Sequence, residues 1–155
     1  MNPTRRAAYG TLAGIGGTLA LSGLRQALAW VGLVQETAPE QVVDRLEELG
    51  LAEDWWPGAQ RLLTVAAHLA YGTGIGAALG LLRRERGGPA EEAAVGSALG
   101  LLAWGAGWAT WLPLTGVHSP PWTQRTPKVL LPVLDHAVFG AVWGLLYRAL
   151  GRRGA

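Results

Sequence analysis

The apolar positions of this chain fall into four long runs separated by short polar stretches. Ala7 to Val34 holds one charge, Arg25, and Val129 to Tyr147 holds one, Asp135. Leu62 to Leu82 and Ala93 to Val117 hold none. A bilayer core takes roughly 20 residues of helix to cross, so the runs predict four membrane spans, about residues 7–34, 59–82, 90–112 and 127–150. After the first, Thr37-Ala-Pro39-Glu40 reads as a capping box with proline in the first turn. It opens a short amphipathic helix, about 38–50, with Val42, Val43, Leu46 and Leu49 along one side and acidic residues on the other. Such a helix lies on the outer membrane surface or covers the bundle as a lid. Pro113 to Trp122 is broken by prolines and Gly116, so it predicts a non-helical second outer link.

Within the runs a pattern recurs. His68-Leu-Ala-Tyr71-Gly72-Thr-Gly-Ile-Gly76 is answered by His136-Ala-Val-Phe139-Gly140-Ala-Val-Trp143-Gly144. Both read His-x-x-aromatic-Gly-x-x-x-Gly, and on a helix the histidine and both glycines share one broad face. Gly-x-x-x-Gly lets helices approach closely in lipid. The first and third spans carry their own copies, Gly10-x-x-x-Gly14 and Gly96-x-x-x-Gly100, with Gly17 extending the first. The first span is therefore equated with the third and the second with the fourth, and both halves start on the same side. The fold class expected is an all-α membrane protein, a four-helix bundle of two parallel helical-hairpin repeats plus the outer amphipathic helix. One transmembrane domain, 1–155, uses the whole sequence.

Composition sharpens this picture. Only 15% of residues are charged, against roughly a quarter in soluble domains. The net charge of +2 hides a separation by end. Arg5-Arg6, Arg83-Arg84 with Arg86, and Arg148 with Arg152-Arg153 mark one side; Glu36, Glu40, Asp44, Glu47, Glu48, Glu53 and Asp54 mark the first outer link. The positive-inside rule puts both termini in the cytoplasm. Trp30, Trp55, Trp56, Trp108, Trp111 and Trp122 fall at the other ends of the spans, as an aromatic belt would. No basic face with interleaved stacking aromatics exists, so nucleic acid is not an expected partner. Without cysteine there are neither disulfides nor thiolate metal sites. Arg5-Arg6, an apolar core and Ala27-Leu28-Ala29 also match a cleavable signal; the glycine spacing repeated in the third span argues for a retained helix.

Candidate chemistry sits inside the spans. Arg25, His68, Asp135 and His136 lie at one level, roughly 10–15 Å from the outer ends at 1.5 Å per residue. A charge there costs roughly 2.5–3.5 kcal/mol on insertion scales, so Arg25 and Asp135 are expected to pair, with the two histidines beside them. One reading makes this a tie between helices. A second makes it a polar cavity for proton-linked transport or pH or solute sensing, where the arginine could take a small anion or lipid head group. A third sets His68 and His136 as axial ligands of a b-type haem, or as part of a zinc site completed by Asp135 or His118. The primary expectation is no cofactor. Ser22, Ser97 and Ser119 show no spacing to His or Asp that would make a nucleophile, so a non-catalytic protein is expected. The expected partners are the bilayer and a small solute or protons, with a homo-oligomer allowed.

Arg25, His68, His136 and the link Pro113-Leu-x-Gly116-x-x-x-Pro120-Pro121 together resemble YagU-like inner-membrane proteins. The likeness runs from about Gly10 to Arg148, and Asp135 stands outside its pattern. It implies a four-span protein of the bacterial cytoplasmic (inner) membrane, with no assigned biochemical activity.

Overall fold

The computed structural model describes residues 2–32, 38–51, 55–84, 87–124 and 126–153, which are helical almost throughout and contain no strand. Leu33–Val34, the Thr37 cap, Glu53–Asp54 and Glu85–Arg86 lie outside the described residues. The long helices are α1 (Pro3–Trp30), α3 (Pro57–Leu82), α4 (Pro89–Ala106) and α6 (Thr126–Arg153). Between them lie α2 (Ala38–Glu48) and the single turn α5 (Leu112–Leu114). Of these, α3 (Gly58–Leu82) and α6 (Val129–Arg152) are each long and apolar enough to cross a membrane. α1 is diluted by glycines and its leading arginines, and α4 opens on Glu91 and Glu92.

Local chemistry fixes the ends. α1, α3 and α4 each begin with proline in the first turn, where its missing N–H costs nothing; Asn2 Oδ1 accepts from Arg5 N–H at 2.9 Å. α4 does not stop before Pro113. It widens into a π turn, Gly107–Trp111, and runs on as α5. Leu112 N–H reaches back to Gly107 O, so Pro113 falls in the first turn of a restarted ladder, where it is tolerated. Gly116, at φ +76°, closes that turn. Val117 N–H donates to Leu112 O at 3.0 Å and Gly116 N–H to Pro113 O at 3.1 Å, the pairing of a Schellman end.

The bundle is held by backbone pressed on backbone. α1 packs on α3, α4 on α6, and α1 on α6, while α3 and α4 do not pack along their length. A Cβ on Gly14 would sit 2.5 Å from Gly72 O, and one on Gly76 would sit 2.5 Å from Gly10 O. In the other pair, a Cβ on Gly96 would meet Gly140 O at 2.1 Å and one on Gly144 would meet Glu92 O at 2.1 Å. Only glycine permits these approaches. By its contacts Gly14, rather than Gly10, occupies the place of Gly96, and Thr18 occupies that of Gly100. The expected alignment of Gly10 with Gly96 is thus one turn out. Gly17 does not join that face: it lies 60° round from Gly14 and receives Phe139 of α6, 2.9 Å from its Cβ position.

Trp143 and Tyr147 lock the two pairs together. Both are fully buried and stack at 5.0 Å. Trp143 Nε1–H lies 3.2 Å from Gly10 O and from Gly76 O, and Tyr147 O–H donates to Arg83 O at 3.0 Å. Below them Glu92 is fully buried, accepting from Arg83 Nη2 at 2.8 Å and Gly87 N–H at 2.6 Å. The hydrogen bond to Glu92, helped by Glu91 and opposed by burial, holds the Arg83 guanidinium above its ordinary value. The charged turn after α3 is therefore a latch on α4 and not merely a solvated separator.

Gly76 and Gly74 make a matched test of the glycine contact. Gly74 has nothing within 4 Å of its Cβ position. Gly76→Ala should lower stability by about 1–3 kcal/mol through overpacking, whereas Gly74→Ala should be neutral or stabilising by about 0.5–1 kcal/mol, both read by thermal unfolding in detergent. Equal effects would refute a packing role for Gly76.

Candidate functional site

Arg25 sits towards the C-terminal end of α1 and Asp135 in the first third of α6. The structure brings them together: Arg25 Nε and Nη2 both reach Asp135 Oδ2, at 2.7 and 2.6 Å. The carboxylate side chain is 1% exposed and the guanidinium side chain 13%. Asp135 Oδ1 is buried with no hydrogen-bond partner among the described residues. Such a pair offsets the cost of burying either charge alone, so it is strongly unfavourable to break from one side.

His136 follows Asp135 but points elsewhere, since neighbours on a helix diverge by about 100°. Its Nδ1 lies 2.8 Å from Pro132 O. A carbonyl only accepts, so Nδ1 carries the proton and Nε2 is the basic nitrogen. His68, on α3, is half-buried and makes no hydrogen bond among the described residues. The charge of His136 reaches His68, and those of Arg25 and Asp135 reach both imidazoles.

Arg25, His68 and His136 share the wall of a cavity of about 200 Å³. Asp135 lies behind Arg25 and does not line it. The rest of the wall is mainly apolar: Leu21 of α1, Tyr71 and Ile75 of α3, Ala103 of α4, Trp108 of the π turn and Phe139 of α6. α2 closes one end, bringing Pro39 and Val42 to the wall. Its Val43 is buried, Gln60 Nε2 donates to Glu47, and Arg45 joins Glu48 at 2.7 Å while reaching Thr115 O at 3.4 Å. α2 thus packs on the bundle beside the cavity.

The π turn shapes the wall. Its extra residue turns Trp108 inward, where it is buried and its ring lies 4.2 Å from that of His118. Trp108 thus leaves the expected aromatic belt, whereas Trp30, Trp55, Trp56 and Trp122 are exposed. His118 also binds Ser119 O at 2.8 Å and is absent from the cavity wall, so it does not complete a zinc site with His68 and His136. Among the described residues no three His, Asp or Glu side chains converge to hold a metal ion. Tyr71 and Phe139 are wall residues to which the sequence assigned no role in the site, and Trp108 joins them from the expected belt. The aromatic position shared by the two copies of the pattern was the signal for Tyr71 and Phe139.

No family of known proteins, no curated protein and no solved structure matches this chain.

The unequal burial of the ion pair gives its mutants an order. Arg25→Leu strands a carboxylate with almost no exposure and should cost about 3–5 kcal/mol. Asp135→Leu strands a cation that borders a cavity and should cost less. The double variant should be more stable than either single one in detergent unfolding; effects that simply add would mean the residues are not partners.

Proposed function

We propose that the protein spans the bacterial cytoplasmic membrane four times, through α1, α3, α4 and α6, as two parallel hairpin repeats. On this reading it holds a small solute in the cavity and moves protons with it. The observation that carries this is the composition of the wall: Arg25, neutralised by Asp135 behind it, with one basic imidazole nitrogen and one unbonded imidazole beside it, under α2. Both histidines can take up and release a proton, and the arginine supplies fixed donors towards an anionic or polar group. The glycine contacts support the repeat reading, because Gly72 and Gly76 meet α1 as Gly140 and Gly144 meet α4. The resemblance to YagU-like proteins, resting on Arg25, His68, His136 and the proline link, agrees with this location.

A bis-histidine haem fits poorly. A cavity of about 150 Å³ takes benzene, so one of about 200 Å³ is several times too small for a porphyrin of roughly forty heavy atoms between His68 and His136. The leading rival is an accessory membrane protein in which the ion pair only ties α1 to α6.

Proteoliposomes filled with a pH-sensitive dye separate these readings. Under an imposed pH gradient, a panel of small carboxylates, amines and sugars is added outside. At least one class should speed collapse of the gradient with the wild type and not with Arg25→Leu/Asp135→Leu. Rates equal to those of protein-free vesicles for every class would leave only the accessory role.

Orientation has its own measurement, made simple by the lack of cysteine. A cysteine introduced at Glu48 should react with an impermeant maleimide on intact spheroplasts, while tags at both termini stay protected. Reaction only after lysis would invert the topology.

A further inference from the structure

Among the described residues the cavity is walled off where α1 packs on α6 and borders the gap where α3 and α4 stand apart. Between α1 and α6 the gap is closed by Phe139 against Gly17 and by Arg25 against Asp135. Carrying the glycine register along the repeats, the matching positions between α4 and α3 are Leu99 for Gly17, and Gly107 with Ala67 for Arg25 with Asp135. Leu99 is too large for the close approach that Gly17 allows, and Gly107 with Ala67 cannot form a tie. Both small residues lie on the cavity wall. α3 and α4 accordingly stand apart, bridged by Tyr71 and Trp111, whose polar ends lie side by side. These two rings are 37% and 40% exposed, so the bridge faces outward. On the membrane reading it faces lipid.

The wall also limits what can enter. Arg25 and Asp135 cancel, and with neutral imidazoles the wall has no net charge, so an anion needs a proton to accompany it. α1 presents Arg25, α3 presents His68 and Tyr71, and α6 presents His136 with Asp135 behind; α2 and α4 add no charged or imidazole group. A dry apolar cavity of about 150 Å³ takes benzene, so about 200 Å³ takes a ring and a carboxyl group.

We propose that the cavity binds a small lipid-permeant weak acid, of the size of benzoic acid, that enters between α3 and α4. The neutral acid passes Tyr71 and Trp111. Its O–H bond then breaks as an N–H bond forms on the His68 imidazole, and the carboxylate rests against Arg25 with its ring towards Leu21 and Phe139. Ligand and proton thus bind together, with no net charge added to the membrane interior. This rests on the proton-linked solute reading and narrows its solute.

Calorimetric titration of the protein in lipid nanodiscs with benzoate, at neutral pH in two buffers of different ionisation enthalpy, tests it. Benzoate should saturate the wild type with uptake of about one proton per bound anion. Acetate, lacking the ring, and benzyl alcohol, lacking the acid, should each bind about tenfold more weakly or worse, a difference of about 1.4 kcal/mol. His68→Gln should lose the proton uptake. Ala67→Leu fills the wall beside the window and leaves every polar group in place; it should weaken benzoate about tenfold while unfolding at the wild-type temperature. Benzyl alcohol binding as tightly as benzoate, benzoate binding without proton uptake, or an unaffected Ala67→Leu would each overturn the proposal. Absence of benzoate binding, with gradient collapse still driven by amines or sugars, would overturn the acid and leave proton-linked transport standing.

Discussion

Direct contact between helix backbones, made possible by glycine, governs the rest of this structure. Where α1 meets α3 and α4 meets α6, no side chain separates the ladders. In lipid the gain is dispersion and weak polar contact, since apolar side chains find equally good partners among acyl chains. Close approach also exposes glycine carbonyls to a third helix. Trp143 uses this, placing one indole N–H near Gly10 O and Gly76 O, carbonyls contributed by two different helices. One side chain of α6 is thereby fitted to the α1–α3 pair, which fixes the depth at which α6 sits. That depth in turn sets Asp135 opposite Arg25, two helical turns further along.

The ion pair is best understood as a constraint on that assembly. Its carboxylate is almost without exposure, and one of its two oxygens has no partner among the described residues, so it is far from an optimised salt bridge. Replacing such pairs with apolar residues is often neutral or stabilising in other proteins. A stability role alone therefore explains its presence badly. A cation held at the border of a cavity, with its counter-ion hidden behind it and two imidazoles alongside, is a better match to ligand handling.

Much of this arrangement could be read from residues. Arg25, Asp135, His68 and His136 stand out because charge and imidazole are rare in such apolar runs, and the tandem His-x-x-aromatic-Gly-x-x-x-Gly pattern pointed to α3 and α6 as equivalents. The register of α1 against α4 was not legible. Gly10, Gly14 and Gly17 offer more than one alignment with Gly96 and Gly100, and Thr18, small enough to do a glycine's work opposite Gly72, gives no sign of it. Nor was the buried latch at Glu92, because an acidic residue in the first turn of a helix ordinarily stabilises the dipole from the surface. The π turn was hidden for a related reason: Pro113 reads as a stop, and only the extra residue of Gly107–Trp111 lets the helix pass it.

The site depends on where the two halves differ. On the repeat reading, equivalent helices would meet in equivalent ways and the bundle would close on both sides. Gly17 and the Arg25–Asp135 pair close one side; Leu99, Gly107 and Ala67 prevent closure of the other. On that reading the residues that hold α3 away from α4 also leave room for the cavity, and the π turn at Gly107 brings Trp108 to its wall. Here the cavity lies under α2, which adds the buried Val43 to its polar attachments, Arg45 to Thr115 and Gln60 to Glu47. α2 meets the bundle through those side chains, whereas the glycine contacts lie between the long helices. The cover and the glycine ladders are thus held by separate interactions, and Tyr71 with Trp111 stands at the gap between α3 and α4.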